Sequence, residues 1–163
     1  MFDTIAGLPL HPLVVHAAVV LLPAAALVVA GAALWPRFRR WSAWLPLLLT
    51  GGAFVMTVVA KESGERLATR VSGSAALGRH MELGGQVPLW AAGLGLAALA
   101  VTWWTWRESG LPLLARPEGG EVPRWFRLTT MVLAVVMALG SLTSVVLAGH
   151  SGATAVWSPI VGG

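Results

Sequence analysis

Four long blocks of apolar residues dominate this sequence. They cover residues 13–35, 41–60, 87–106 and 128–149, and none of them contains Asp, Glu, Lys or Arg. Because a helix of about 20 apolar residues spans the hydrocarbon core of a bilayer, each block predicts a transmembrane helix. We therefore expect an all-α fold, in which residues 1–163 form a single domain built as an antiparallel bundle of four transmembrane helices.

The segments between the blocks carry the charges and predict the connections. Residues 35–40, with the sequence WPRFRR, indicate a tight turn. Residues 61–86 are longer, and four of their charged residues fall at helical spacing: Glu62, Glu65, Arg66 and Arg70. This spacing predicts a short interfacial helix with a break at residues 72–74. Residues 107–127 contain several Gly and Pro and are expected to be irregular and exposed. We find no internal repeat in the sequence.

The composition places this pattern among integral membrane proteins. Hydrophobic residues make up 56% of the chain and charged residues 11%, whereas soluble domains carry about a quarter charged residues. The sequence contains no Cys, which excludes disulfides, thiolate metal sites, iron–sulfur clusters and covalently attached c-type haem. The net charge is +4, but the basic residues are separated by apolar blocks. The expected partner is therefore the lipid bilayer and not nucleic acid.

The basic residues predict the side of the membrane on which each connection lies. Seven arginines follow the first and third blocks: Arg37, Arg39, Arg40, Arg107, Arg116, Arg124 and Arg127. Four basic residues lie on the other side: Lys61, Arg66, Arg70 and Arg79. Since Lys and Arg are retained on the cytoplasmic side, we expect a multi-pass plasma-membrane protein with both termini non-cytoplasmic. The first block is not expected to be a cleavable signal peptide, because its lead contains Asp3 and no basic residue.

All four histidines map to the non-cytoplasmic side of this topology. His11 and His16 open the first helix, His80 precedes the third, and His150 ends the fourth. An imidazole at this depth needs a partner, because an unsatisfied polar group in hydrocarbon costs several kcal/mol. One interpretation is a hydrogen bond to a neighbouring helix, for which four side chains are available: Gln86, Ser141, Thr143 and Ser144. The other interpretation is metal ligation, since neutral imidazole is the commonest metal ligand in proteins.

The spacing of the histidines favours a cofactor held between helices. His11 and His16 are five residues apart, which is about 140° around a helix, so each could face a histidine on another helix. The pairs would be His16 with His80 and His11 with His150. Two axial imidazoles are typical of b-type haem, and the sequence therefore predicts haem binding for electron transport, with a membrane redox partner or a homo-oligomer.

Other functions remain open on the same residues. Met81 beside His80 offers a thioether, which together with imidazole suits Cu(I). Alternatively, the histidines are only hydrogen-bonded, and the protein is a structural or accessory subunit of a membrane complex. Glu62 either orients a histidine through its second ring nitrogen or is a solvated charge. No catalytic residue is assigned, and whether the protein is an enzyme is left open.

Several motifs resemble a bacterial four-helix membrane family, domain of unknown function 2231. The opening LPLHPLVVH resembles the family signature, although Ala17-Ala18 stands where the family often has Phe-Pro. The segments KESGERLA, HMELG and AGHSGATAVW resemble actinobacterial members. The resemblance covers essentially the whole chain and implies a four-helix membrane fold but no activity. The haem and metal hypotheses come from the chemistry of histidine and not from the resemblance.

Overall fold

The computed structural model of the chain describes residues 4–5, 8–71 and 73–161. Five helices occupy most of this length: α1 (Leu10–Leu34), α2 (Pro36–Ser42), α3 (Leu45–Ala68), α4 (Ala75–Ser109) and α5 (Arg124–Val161). Two strands of two residues, β1 (Thr4–Ile5) and β2 (Leu8–Pro9), pair antiparallel before α1. Apart from this short pair of strands, the all-α prediction is confirmed.

Four helices, α1, α3, α4 and α5, are long and apolar enough to cross a membrane. They form an antiparallel bundle in which α1 and α4 each contact both α3 and α5. The bundle has two different ends. We call the end where α1 and α4 begin and α3 and α5 end the histidine end. The arginine end is the opposite one, formed by α2 and by the connection between α4 and α5.

Small side chains fill the centre of the bundle, and large apolar side chains face outward. Ala25, Ala97 and Ala98 are completely buried, whereas Leu48 and Leu89 are 70% and 73% exposed. Lipid solvates large apolar side chains, and small residues let helix backbones approach closely. This distribution is therefore typical of a bundle that is surrounded by lipid.

The helices at the histidine end extend beyond the apolar blocks that predicted them. α3 continues to Ala68 and α4 begins at Ala75, so the short helix predicted within residues 61–86 is a continuation of α3 and most of these residues are helical. Glu62, Glu65 and Arg66 lie on this continuation and Arg70 follows its end. The Lys61 Nζ and Glu65 Oε1 atoms form an i, i+4 ion pair of 2.7 Å on it.

The break between these two helices falls where the sequence predicted it. Ser74 caps α4, because its Oγ accepts a hydrogen bond of 3.1 Å from the Leu77 amide. Gly73 and Ser74 lie outside the helices, and Ser72, the first residue of the predicted break, lies outside the described residues. The connection is thus only a few residues long, and it holds the ends of α3 and α4 close together.

The predicted tight turn at residues 35–40 is instead the short helix α2. Pro36 occupies its first turn, where the missing proline N–H is not needed and its fixed φ suits a helix. The helix ends before Ala43, whose φ of +44° stops it. α2 therefore joins the end of α1, at Leu34, to the start of α3, at Leu45.

A partly buried ion-pair network connects α2, α4 and α5 at the arginine end. The Nη2 atom of Arg39 lies 3.3 Å from Glu108 Oε2, and Glu108 Oε1 lies 3.2 Å from the Nε of Arg127. The Arg39 guanidinium carbon lies 3.7 Å from the centre of the Trp104 ring. Burial lowers the pKa of Arg39 while Glu108 opposes this shift, and arginine stays charged because its usual pKa is far above neutrality.

The connection from α4 to α5 is irregular, as predicted, but it is not exposed throughout. Leu111 and Leu114 exchange backbone hydrogen bonds of 2.9 and 3.0 Å, which closes a turn with Pro112 and Leu113 at its centre. Leu113 has a φ of +72° and a completely exposed side chain. Val122, by contrast, is buried.

Candidate functional site

A cavity of about 690 Å³ lies at the histidine end, between all four long helices. Its polar lining includes His11, His16 and His80, together with Lys61 and Glu65. Most of the other lining residues are apolar or small. Concave sites of roughly 300–1,000 Å³ with few polar groups are typical of small-molecule and cofactor sites.

His11 binds α3 through a compact set of contacts. Its Nδ1 atom lies 2.9 Å from the Ala60 carbonyl oxygen and 3.3 Å from the Ser63 hydroxyl. The Ser63 hydroxyl also donates to the Ala60 carbonyl, at 3.0 Å. The imidazole lies directly over Gly64, where an added Cβ would be 2.9 Å from His11 Cε1. Gly64 therefore makes room for the ring.

His80 makes the same set of contacts with α5. Its Nδ1 atom lies 3.1 Å from the Ala148 carbonyl oxygen and 3.2 Å from the Ser151 hydroxyl. The Ser151 hydroxyl donates to the Ala148 carbonyl, at 2.9 Å. An added Cβ at Gly152 would be 3.0 Å from His80 Cε1. We call each of these sets of four residues a histidine clasp.

The two clasps reveal a short repeat that the sequence reading missed. Residues 60–64 read AKESG and residues 148–152 read AGHSG, so both contain the pattern Ala-x-x-Ser-Gly. Each copy lies near the end of a helix and receives a histidine from the start of the preceding long helix. The shared pattern is limited to these five positions, and it places a serine and a glycine at the same points of each clasp.

The hydrogen bonds of the clasps decide the state of each imidazole. A carbonyl oxygen can only accept a hydrogen bond, so the Nδ1 atoms of His11 and His80 carry the proton. In the neutral ring, the Nε2 atom then keeps its lone pair. Histidines that bind metals are typically anchored in this way, with one ring N–H donated to a carbonyl or carboxylate. In both clasps, Nε2 is therefore the ring nitrogen that keeps a lone pair for a further partner.

The four predicted histidines differ in exposure and in whether they line the cavity. His11, His16 and His80 all line the cavity, whereas His150 is exposed and is not part of its lining. The Nδ1 of His16 is hydrogen-bonded to the Pro12 carbonyl in its own helix. The predicted pairs were His16 with His80 and His11 with His150, but the two histidines in equivalent positions are His11 and His80.

Two of the four predicted hydrogen-bond partners of the histidines have other contacts. Ser141 donates to the Trp90 carbonyl at 3.4 Å, and Ser144 donates to the Ser141 carbonyl at 2.9 Å. The imidazoles of His11 and His80 are instead hydrogen-bonded to backbone carbonyls and to the two clasp serines. Glu62 is 54% exposed and its Oε1 lies 3.7 Å from Lys61 Nζ, which fits the solvated-charge interpretation.

The cavity offers few ligands besides the imidazoles. Within the described part of the chain, no three or more His, Asp or Glu side chains cluster in a way that could hold a metal ion. Met81 lines the cavity and could add a thioether. The donor set suits a centre that needs two imidazoles and not one that needs a carboxylate-rich shell.

Comparison with known proteins identifies one family. A family model described as Predicted membrane protein (DUF2231) matches residues 7–162. No curated protein and no solved structure matches the chain significantly. The matched residues include all four long helices and both histidine clasps.

Proposed function

Since the chain belongs to the DUF2231 family of predicted membrane proteins, we propose that this integral membrane protein binds b-type haem between His11 and His80. His11 and His80 would hold the haem iron through their imidazoles. Haem bound there would supply one-electron redox chemistry at the histidine end of the bundle, with a membrane redox partner or a second copy of the chain as the electron acceptor or donor.

The observation that carries the proposal is the pair of equivalent clasps on one cavity. Haem iron with two axial histidines has two similar ligand positions, and the chain supplies two similar, Nδ1-anchored imidazoles from different helix pairs. His16 is hydrogen-bonded only within its own helix, and His150 lies outside the cavity lining. We therefore choose the pair His11 and His80 for the proposed site, in place of the pairs His16 with His80 and His11 with His150.

The remaining cavity lining also suits haem. Its walls are largely apolar, as a porphyrin ring requires, and its volume of about 690 Å³ falls in the range of cofactor sites.

Haem content and visible spectra of the detergent-purified protein test this proposal. Wild-type protein is expected to bind haem and to show the sharp reduced bands of a six-coordinate centre. His11→Ala and His80→Ala should each lose these bands, because one axial imidazole is missing. The matched control is His150→Ala, since His150 is exposed and outside the cavity lining. Wild-type protein that takes up no haem, or a double His11→Ala/His80→Ala variant with full haem content, would overturn the proposal.

A second candidate ligand is Cu(I), because Met81 lines the same cavity. Imidazole and thioether are both suited to Cu(I). Metal analysis of the purified protein separates the two candidates. Copper binding predicts about one copper per chain and weaker binding in Met81→Leu, whereas haem binding predicts iron and no effect of Met81→Leu.

A further inference from the structure

The short helix α2 has two chemically different faces. Arg39 and Ser42 are buried against the bundle, whereas Arg37, Arg40 and Trp41 are exposed. Residues at spacings of three and four share one face of a helix, so these three side chains lie together. α2 therefore presents two guanidinium groups and one indole away from the bundle.

Two anchors hold this outward face in a fixed position. On the buried side, Arg39 pairs with Glu108 at 3.3 Å. After the helix, the Trp44 Nε1 atom donates a hydrogen bond of 3.1 Å to the Pro112 carbonyl. Because α2 is tied to both α4 and the following connection, the backbone that carries its exposed arginines is held in place, and only their side chains lose freedom when they bind a ligand.

The charge of the outward face is not balanced by the protein. Among the residues that the structure describes, neither Arg37 nor Arg40 has an ion-pair partner. Glu108, the carboxylate of the ion-pair network at this end, is shared by Arg39 and Arg127. The two exposed arginines thus leave a local excess of positive charge.

We propose that Arg37, Arg40 and Trp41 bind the headgroup of an anionic phospholipid. α2 joins the ends of two helices that are suited to cross the membrane, so its outward face lies at the level of the headgroups. Arginine forms bidentate hydrogen bonds with phosphate. Tryptophan prefers the interfacial layer, and Trp41 is 73% exposed. This combination favours a lipid over a soluble anion, which would gain nothing from the indole.

Native mass spectrometry of the purified protein with added phosphatidylglycerol or phosphatidylcholine tests the proposal. We expect the first phosphatidylglycerol to bind about 30-fold more tightly than phosphatidylcholine, since each arginine at a membrane surface adds about a fivefold preference for anionic lipid. Arg37→Gln/Arg40→Gln should abolish the preference, and each single variant should lose about fivefold. All of these side chains are exposed, so the variants are expected to fold.

The matched control is Arg66→Gln/Arg79→Gln, which removes two exposed arginines at the histidine end and should keep the preference. Equal binding of both lipids by the wild type would overturn the proposal. So would an equal loss in the control variant, which would indicate a general effect of net charge. Displacement of phosphatidylglycerol by an equal concentration of inorganic phosphate would also contradict it, because the site would then recognise phosphate alone.

Discussion

At the scale of single residues, the histidine clasps explain why small residues occur where they do. The sequence identified His11 and His80 as candidate ligands, because polar side chains near hydrocarbon need partners. It could not identify their partners, because backbone carbonyls such as those of Ala60 and Ala148 carry no side-chain signal. The repeated Ala-x-x-Ser-Gly pattern was the available signal for the clasp serines and glycines.

The clasp geometry predicts that Gly64→Ala destabilises the protein. The added Cβ would lie 2.9 Å from His11 Cε1, so the ring must move and its Nδ1 hydrogen bond is weakened. We expect a net loss of up to about 2 kcal/mol in the free energy of unfolding, measured by denaturant titration in detergent. Overpacking costs about 1–3 kcal/mol, and alanine in place of glycine in a helix offsets up to about 1 kcal/mol of it.

Gly51→Ala in the same helix is the control for this prediction. A Cβ at Gly51 meets nothing within 4 Å, so this variant should be as stable as the wild type or slightly more stable, since alanine favours helix. If the Gly64→Ala and Gly51→Ala variants had the same free energy of unfolding, the described close packing of His11 against Gly64 would be contradicted.

At the scale of elements, hydropathy predicted where the chain crosses the membrane but not how long each helix is. The apolar block ends at residue 60, yet α3 continues to Ala68. Hydropathy reports depth in the bilayer, whereas helix length also depends on ion pairs and caps outside the hydrocarbon, such as Lys61 with Glu65. α2 was missed for the same reason, because a seven-residue helix rich in arginine has no apolar block.

The contact between α4 and α5 predicts a strong effect of Gly140→Ala. A Cβ at Gly140 would overlap the Trp90 indole, and Ser141 also donates to the Trp90 carbonyl. We expect a loss of about 1–3 kcal/mol in unfolding free energy, measured as for the clasp variants. Gly95→Ala in α4 serves as the control, because a Cβ there meets nothing within 4 Å. Wild-type stability of Gly140→Ala would show that these helices do not pack as described.

The turn between α4 and α5 predicts a stabilising substitution. Leu113 has a φ of +72° and is fully exposed, so its side chain gains nothing from packing and its backbone is strained. The left-handed conformation costs a non-glycine residue about 1–2 kcal/mol. Leu113→Gly should therefore raise the free energy of unfolding by up to about 1 kcal/mol after the entropy cost of glycine.

Leu114→Gly provides the comparison for the turn. Leu114 does not have a positive φ, so glycine relieves no strain there and should be neutral or destabilising. If Leu113→Gly and Leu114→Gly lowered the free energy of unfolding by the same amount, the assigned turn geometry would be contradicted.

At the scale of the whole molecule, the fold class and the four spans could be predicted from hydropathy. A span must be about 20 residues long to cross the bilayer, and a charged side chain inside it is energetically costly. The charge-free blocks identified each span. The position of the cavity could not be predicted, because it depends on which helix faces meet. His150 shows the difference: its place in the sequence puts it at the histidine end, but its side chain is not part of the cavity lining.

The distribution of basic residues predicts the orientation of the molecule. Arg37 to Arg40 and the connection around Gly119 should be cytoplasmic, and both termini should be non-cytoplasmic. Reporter fusions at Gly119 and at Gly163 are expected to report opposite sides, with Gly163 outside the cytoplasm. A cytoplasmic Gly163 would reverse the orientation and place the proposed haem site on the cytoplasmic side.

The most direct test of the central claim is the electron paramagnetic resonance spectrum of the oxidised, haem-loaded protein. If His11 and His80 are the axial ligands, the wild type shows the low-spin signal of haem with two imidazoles. His11→Ala and His80→Ala should each convert it to a high-spin signal, while His16→Ala and His150→Ala should retain it. A high-spin wild type, or a low-spin signal that depends on His16 or His150 instead, would contradict the assignment of the two clasps as a single cofactor site.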